Sequence, residues 1–428
     1  MKNMLSFFAI AFLLFSCSSS NSDDAPNTSY SLPTIVFNTV SEITRYSASG
    51  TAYVSNDGGA PILARGLCWS TTPNPTITNF NANDGVGVGA FEGHLNELSN
   101  ATTYYVRAYA TNHEGTGYSE ELTFTTLDCN FSTYEGNVTL ISQHEVDEFG
   151  LLGHEKINGS LILGEDNLNP MDPILNLKPL SCLQEVTGSL SIMGNPHLKD
   201  VDELTNLTSI GHSLIVSNNA FLNNIEGLSS VTSSIKNLTI TSLGSLEDLS
   251  GLENINEIEE SIEISFNNSL LNIDDLIDID MNSVSFEIKH NLVLQSFSGL
   301  DSVTIIKERF YIANNAALTD LSGLDNLVLV DGDMYINDNP NLETIHGLEK
   351  LEEISDRFFI QTNPELEKLD GLEVLLKTGN IDINTNISLV NFCGLTNLFN
   401  IGSHSVVLIY DNAYNPSEQN LIDGNCSQ

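Results

Sequence analysis

Hydrophobic residues recur along this chain with a fixed step of 24 residues. Isoleucine or valine occupies eight successive positions at that step, and two more isoleucines follow at steps of 23 and 26 (Ile192, Val216, Ile240, Ile264, Ile288, Ile312, Ile336, Ile360, Ile383, Ile409). Leucine keeps the same step (Leu198, Leu222, Leu246, Leu270, Leu294, Leu318, Leu342, Leu366). A short fixed period indicates coils that cannot bury their apolar faces alone and must stack on one another.

Each repeat reads as a strand followed by a winding return path. Alternation predicts that Phe310 and Ile312 point inward and that Tyr311 and Ala313 point outward. Apolar residues at steps of three then follow the chain around the coil (Leu318, Leu321, Leu324, Leu327, Val330). Just after the strand an asparagine recurs (Asn195, Asn219, Asn267, Asn291, Asn315, Asn339, Asn363). Stacked amides can hydrogen-bond along such a column, so we interpret this asparagine as structural.

A helix is predicted before the first coils. Ser142 and Glu145 have the spacing of a capping box, and Val146, Phe149 and Leu152 form an apolar stripe. A solenoid needs an atypical unit at its end, so we expect a short N-terminal capping helix.

The repeat resembles the receptor L-domain family, the leucine-rich ligand-binding units of insulin and growth-factor receptors. Residues 320–327 (DLSGLDNL) and 334–342 (MYINDNPNL) carry the resemblance, and residues 413–417 (AYNPS) with Cys426 resemble the end of its bacterial form. The resemblance implies a right-handed β-solenoid over residues 128–428. Some ten coils run without interruption, more than in one receptor L-domain, so the receptors' ligand sites are not carried over.

Residues 31–127 have a different pattern, with short alternating strands separated by turn signals, which is typical of a β-sandwich. Residues 98–104 (LSNATTY) resemble the tyrosine corner of fibronectin type III domains. Residues 65–70 (RGLCWS) and 121–126 (ELTFTT) resemble a variant from secreted Bacteroidota proteins. The predicted fold is therefore mainly β, a fibronectin type III-like sandwich followed by the solenoid, and the resemblance implies a spacer role for the sandwich.

The N-terminus is predicted to be a targeting segment. An apolar run too short to span a bilayer follows Lys2, and residues 14–17 (LFSC) resemble the lipobox of bacterial lipoproteins. The resemblance implies cleavage after residue 16 and acyl chains on Cys17, with residues 17–30 as a flexible tether. Asp23 and Asp24 resemble the export signal of Bacteroidota surface lipoproteins, which implies a surface-exposed protein anchored in the outer membrane. A simple secretory signal is the alternative.

The net charge limits the classes of possible partner, and the cysteines predict disulfide bonds. The formal net charge of −41 opposes binding to nucleic acid or anionic lipid. In an oxidising compartment we expect Cys393 to pair with Cys426, closing the last coil, and Cys129 to pair with Cys182 around the first. Cys68 is then left as a buried thiol.

Outward strand positions are where a binding face is expected. One predicted row runs through Ser191, Ile215, Thr239, Glu263, Glu287, Tyr311, Tyr335, Phe359 and Asp382, and it places three aromatic residues on adjacent rungs. Two residues before each aromatic residue stand Arg309, Asp333 and Arg357. Aromatic faces suit sugar rings or apolar anchors of a partner protein, and arginine suits carboxylates. Stacking between rungs alone is the alternative reading.

The sequence offers little support for catalysis or for a metal site. Signatures of metalloproteases, serine hydrolases and phosphate-binding loops are missing from the sequence, so we expect neither an enzyme nor a cofactor. The acidic run from Asp274 to Asp280 contains oxygen ligands suited to Ca²⁺, but Leu276 and Ile279 occupy its inward positions, so a solvated loop is favoured and no metal site is predicted.

The sequence thus predicts a lipid-anchored surface protein for binding or adhesion, whose solenoid sheet recognises a protein or a glycan. A structural envelope protein without a discrete ligand and a polysaccharide-active enzyme remain the alternatives.

Overall fold

The computed structural model describes residues 29–165, 171–282 and 284–428. The predicted signal peptide, Cys17 and all of the tether but residues 29 and 30 lie outside the described residues. The chain divides into two compact units. The described part of the first comprises residues 29–42, 48–95 and 103–124, and the second comprises residues 43–47, 96–102 and 125–428 with the gaps above. The loops 43–47 and 96–102, predicted as part of the sandwich, are thereby grouped with the second unit.

The first unit is built from two antiparallel sheets. Its strands are β1 (Thr34–Ser41), β2 (Ala48–Asn56), β3 (Ala64–Ser70), β4 (Phe80–Asn81), β5 (Gly89–Leu95), β6 (Thr103–Asn112), β7 (Gly115–Tyr118) and β8 (Leu122–Thr125). One sheet has the order β1-β2-β5 and the other β4-β3-β6-β7, with β8 also paired to β6. Alternating residues such as Tyr104, Val106 and Ala108 are buried, so the predicted alternation is confirmed.

The second unit consists of parallel strands. They are β9 (Asn130–Glu135), β10 (Val138–Leu140), β11 (His154–Asn158), β12 (Leu161–Leu163), β13 (Glu185–Val186), β14 (Leu190–Met193), β15 (Ser209–Ile210), β16 (Ser213–Ser217), β17 (Ile235–Thr241), β18 (Ile258–Ser265), β19 (Val284–Lys289), β20 (Ile305–Ala313), β21 (Leu329–Asn337), β22 (Glu353–Gln361), β23 (Lys377–Asn384) and β24 (Val407–Tyr410).

In the described residues these strands form two sheets. A 12-stranded sheet has the order β10-β12-β14-β16-β17-β18-β19-β20-β21-β22-β23-β24, and a 4-stranded sheet has the order β15-β13-β11-β9. The pairing follows the repeat, because Ile288 lies opposite Ile312, Ile312 opposite Ile336 and Ile336 opposite Ile360. The inward isoleucines from Ile192 to Ile383 are 0% exposed, and each burial contributes roughly 1.5–3 kcal/mol.

The recurrent Gly-Leu pairs mark close contacts between return paths. A Cβ on Gly323 would lie 2.1 Å from backbone atoms of Phe297, and one on Gly347 would lie 2.1 Å from the carbonyl oxygen of Leu321. Both glycines also have positive φ values, 102° and 111°. Glycine is required there because no side chain fits between stacked coils.

The predicted asparagine column is a buried hydrogen-bond ladder that runs unbroken from Asn267 to Asn412 and is interrupted before Asn267 by Leu243. The backbone N–H of Asn291 donates to Oδ1 of Asn315 at 3.1 Å, and that of Asn315 donates to Oδ1 of Asn339 at 3.1 Å. Nδ2 of Asn315 donates to the carbonyl oxygen of Ile288 at 2.9 Å. The structural interpretation is confirmed. The ladder also continues beyond the predicted members, through Asn386, Asn412 and Asn415.

The residue before each column position adopts a left-handed backbone conformation, with φ between 55° and 65° (Gly194, Asn218, Ser242, Phe266, His290, Asn314, Asp338, Thr362, Thr385, Asp411). Asparagine, aspartate and glycine accept this conformation readily, whereas phenylalanine and threonine do so only under strain. The turn is therefore imposed by the stack and not by local sequence preference.

The predicted capping helix is present as α1 (Gln143–Gly150). The Ser142 side chain accepts a hydrogen bond from the N–H of Glu145, and the Glu145 carboxylate accepts one from the N–H of Ile141 at 2.7 Å. Val146 is buried, but Leu152 is 49% exposed because the helix ends at Gly150 before the stripe is complete.

Short helices complete the second unit. They are α2 (Thr396–Ile401) and α3 (Glu418–Ile422), together with 3₁₀ turns at Lys178–Leu180, Asp202–Leu204, Glu226–Leu228, Asp274–Leu276, Ser298–Leu300 and Cys393–Leu395. No helix within the described ranges is long and apolar enough to cross a membrane.

Both predicted disulfides are confirmed. Cys129 is bonded to Cys182, and Cys393 is bonded to Cys426. Cys68 is a buried free thiol, and burial raises its pKa to about 11.

Two residues predicted to face outward are buried. Ala313 is 0% exposed and Ser191 is 6% exposed. Both side chains are short, and in an in-register parallel sheet the longer side chains on neighbouring rungs cover them.

We expect Asn315→Ala to destabilise the protein by about 2–5 kcal/mol, because it leaves the buried N–H of Asn291 and the carbonyl oxygen of Ile288 unsatisfied. Urea unfolding followed by circular dichroism measures the loss. Asn341→Ala is the matched control, since its amide bonds the Ala316 carbonyl oxygen on the exposed surface. A control loss equal to that of Asn315→Ala would contradict a special role for the buried ladder.

Candidate ligand-binding face

Three aromatic side chains lie next to one another on the 12-stranded sheet. Tyr311 on β20 is opposite Tyr335 on β21, which is opposite Phe359 on β22. All three are partly exposed, and the inward residues on either side of each are buried. We call these three side chains the aromatic ladder. The predicted register and outward orientation of the ladder are confirmed.

The rings of the aromatic ladder contact one another. The centroids of Tyr311 and Tyr335 are 5.6 Å apart with an edge-on angle of 64°, and those of Tyr335 and Phe359 are 5.6 Å apart at 36°. Contacts of this kind add roughly 0.5–1.5 kcal/mol beyond burial. The rings therefore brace each other and still present partly exposed faces and edges to solvent.

Arg309, Asp333 and Arg357 form the row beside the ladder, as predicted. The register places Arg309 opposite Asp333. Oδ1 of Asp333 accepts a hydrogen bond from the backbone N–H of Arg357 at 3.0 Å, and the Nε of Arg357 lies 3.9 Å from the same oxygen. The guanidinium of Arg309 instead bonds Glu287 on β19 at 3.0 Å.

Asp333 also fixes the central ring of the ladder. The hydroxyl of Tyr335 donates to Oδ2 of Asp333 at 3.0 Å. Burial raises the pKa of Tyr335, and the hydrogen bond to the Asp333 carboxylate raises it further. The tyrosine is therefore neutral at physiological pH, and its ring position is set by a bond within the same strand.

A second flanking row was missed by the sequence reasoning. Asn337 and Gln361 follow Tyr335 and Phe359 by two residues and lie on the opposite side of the ladder from the arginines. Oδ1 of Asn337 is buried and has no hydrogen-bond partner among the described residues. The alternation that predicted the aromatic ladder also predicts that Asn337 and Gln361 face outward. Because asparagine is common throughout this chain, these amides gave no distinct signal.

Glu287 closes one end of the ladder in an ion-pair network. Its carboxylate lies 2.6 Å from Nζ of Lys289 and 3.0 Å from the guanidinium of Arg309, and Lys289 also reaches Glu263 at 3.3 Å. Burial by itself raises the pKa of Glu287, but the hydrogen bonds and charges of Lys289 and Arg309 outweigh burial and lower it. The carboxylate is thus ionised and already paired.

A polar depression adjoins the arginine row. It is lined by Asp333, Ser355, Asp356, Arg357, Gly379, Asn380 and Ser405. Gly379 packs closely against the preceding coil, because a Cβ there would lie 2.1 Å from the carbonyl oxygen of Asp356. The aromatic ladder therefore has hydrogen-bonding groups on both sides.

The acidic run from Asp274 to Asp280 has the predicted solvated arrangement, with Leu276 and Ile279 buried and Asp278 exposed. Across the described ranges, no group of three or more histidine, cysteine, aspartate or glutamate residues is arranged to hold a metal ion. Burial raises the pKa of Asp202, Glu203 and Asp275, and all three stand in or beside return turns, away from the ladder's strands.

Comparison with known proteins supports the repeat assignment over part of its length. The Receptor L domain family matches residues 273–375, a segment that contains the whole aromatic ladder. Comparison with curated proteins finds no match.

Two solved structures similar to this chain each cover about a quarter of it. The sensor domain of the anti-sigma factor RsgI4 of Pseudobacteroides cellulosolvens is 21% identical over 23% of this chain and 97% of that one, with a TM-score of 0.19. A human fibronectin type III domain from KIAA0970 is 22% identical over 27% of this chain and 90% of that one, also with a TM-score of 0.19. We draw no functional conclusion from them.

The Glu287 network generates a pH prediction. Because its folded pKa is lowered, Glu287 contributes stability above the ordinary glutamate pKa of about 4.3, and the contribution disappears as the pH falls through the folded value. We expect Glu287→Gln to lower stability at pH 7 by up to about 1 kcal/mol, and the difference from wild type to vanish in acid. Thermal unfolding across this pH range measures it.

Glu352→Gln is the control, because Glu352 is exposed and has no ion pair among the residues the structure describes. A Glu287→Gln difference that persists undiminished in acid would contradict an electrostatic origin.

Proposed function

We propose that this protein is an extracellular binding protein that recognises a protein or a glycan through the aromatic ladder. The observation that carries the proposal is the run of three partly exposed, mutually contacting aromatic rings on adjacent strands of the outward row. Aromatic side chains dominate the energetics of binding surfaces, and a group of them on a soluble protein marks an interaction site.

The scaffold supports this role. The ladder stands on three adjacent strands whose inward residues Phe310, Met334 and Phe358 are all 0% exposed. A site held on packed strands has little freedom to lose when a ligand binds, which favours affinity. The match of the Receptor L domain family to residues 273–375 adds support for a binding role, without indicating a ligand.

The location we propose is the outer membrane, with the protein anchored through acyl chains on Cys17 and exposed at the cell surface. The lipobox-like residues 14–17 and the acidic pair Asp23 and Asp24 support it. Acyl chains on one terminal residue, followed by a flexible tether, hold a protein at a membrane without a spanning helix.

A structural envelope protein is the second candidate. The contacts between Tyr311, Tyr335 and Phe359 favour it, because stacking between rungs stabilises the sheet whether or not a ligand binds. A polysaccharide-active enzyme is the third candidate.

The triple variant Tyr311→Ala, Tyr335→Ala, Phe359→Ala separates binding from a structural role. We expect the purified wild-type protein to bind components of a glycan and surface-protein array, and the triple variant to lose at least about tenfold in affinity, or ~1.4 kcal/mol. Phe221→Ala is the control, since Phe221 is 59% exposed in a turn outside the strands. Binding that survives in a folded triple variant would exclude the ladder as the site.

The anchor is tested by expressing Cys17→Ser in the native host. We expect wild-type protein to incorporate a labelled fatty acid and to remain with the outer membrane, and Cys17→Ser to lose both properties because its acceptor thiol is gone. Cys68→Ser is the control, because Cys68 is the buried free thiol of the described chain and takes no part in anchoring. Labelled fatty acid on Cys17→Ser would contradict the proposal.

A further inference from the structure

We propose that the ligand of the aromatic ladder is a neutral oligosaccharide whose sugar rings lie along successive rungs. This inference rests on the proposed binding function and names its ligand class. It follows from which groups around the ladder are already paired and which are not.

Each cationic group around the ladder lies beside at least one carboxylate. Lys289 is bonded to Glu287 and Glu263, and Arg309 is bonded to Glu287. Arg357 lies beside Asp333. An anionic ligand would have to break these pairs and approach a chain of net charge −41. Both terms oppose binding of an acidic polysaccharide, a nucleic acid or an acidic peptide.

A cationic ligand is also disfavoured. The side chains of Arg309 and Arg357 are 54% and 59% exposed, so a basic ligand at the ladder would approach two positive charges. Asp382, beside Phe359, has no cation paired with it among the described residues, but Asn384 already donates to its carboxylate at 2.7 Å. One such carboxylate at the ladder's end does not make a site for a basic chain.

Neutral hydrogen-bonding groups, in contrast, are left open. Within the described ranges, the hydroxyl of Tyr311 and the side-chain amide of Gln361 make no hydrogen bond, and the buried Oδ1 of Asn337 has no partner. The Asn337 oxygen is buried out of reach of a ligand on the sheet surface, so the accessible groups are the Tyr311 hydroxyl and the Gln361 amide. Hydroxyl, amide donor and amide acceptor together match a polyhydroxylated ligand.

The aromatic rings supply the other half of sugar recognition. A sugar ring has an apolar face of C–H groups and an equatorial rim of hydroxyls, so it packs its face on an aromatic side chain and directs its rim to polar neighbours. The ladder offers aromatic surface along its centre and polar groups on both flanks. Because its rings repeat at 5.6 Å, it suits a chain of similar units.

Calorimetric titration of the purified protein with oligosaccharides tests the inference. The probes are linear neutral hexaoses of glucose, mannose and xylose in their common linkages, with oligogalacturonate and hexalysine as charged probes. We expect at least one neutral hexaose to bind. Its affinity should change less than about threefold when salt is raised tenfold, because no net charge is neutralised.

Conservative variants keep the test independent of folding. Tyr311→Phe retains the ring and its contacts but removes the open hydroxyl, and we expect it to weaken neutral hexaose binding about threefold to tenfold. Gln361→Glu keeps an acceptor, so we expect a loss of less than tenfold for a neutral ligand, whereas an anionic ligand would be rejected. Thr239→Ala, an outward position four rungs before Tyr335, is the control with unchanged binding.

The outcomes separate the two proposals. Salt-insensitive binding of a neutral hexaose that Tyr311→Phe weakens supports the inference. Failure of all neutral hexaoses overturns it. If a charged probe or a protein on the array then binds in a manner that the triple alanine variant abolishes, the binding function stands and only the ligand class is wrong. If no ligand depends on the ladder, both proposals fail.

Discussion

From Asn267 to Asn386, each asparagine of the buried column depends on the one in the next coil. Its N–H needs the neighbour's Oδ1, and its own Nδ2 reaches back to the strand of the previous coil. These groups are excluded from water, so a slip of one coil against the next would leave several of them unsatisfied at once. The asparagine column therefore fixes the register of the strands that precede it.

Irregular coils show how strong this constraint is. The step from Asn363 to Asn386 is 23 residues and that from Asn386 to Asn412 is 26, yet both hydrogen bonds have ordinary lengths of 2.9 and 3.0 Å. Length differences are thus absorbed elsewhere in the coil. The left-handed turn before each asparagine is kept even where it carries Phe266 or Thr362, at a local cost of order 1–3 kcal/mol.

The buried positions of the second unit were predictable from sequence because each has the same surroundings in every coil. Isoleucine fills the inward strand position, leucine lines the return path and asparagine forms the column, so a 24-residue step suffices to assign their roles. Both disulfides followed from their positions around the end coils. The outward half was less predictable. Whether Ala313 is covered or Asn337 finds a partner depends on side chains one rung away, and no periodic pattern encodes those pairings.

Parallel, in-register stacking has a consequence for how recognition on this sheet can change. Every outward row is a line of positions at constant spacing, and the backbone between rungs does not depend on which side chain occupies them. A substitution at one rung changes one side chain and its contacts with the two neighbouring rungs, but it leaves the backbone positions above and below in place. The row of aromatic side chains becomes longer or shorter when a neighbouring strand gains or loses an aromatic residue at the same position. The sheet thus separates the evolution of specificity from the maintenance of the fold, one rung at a time.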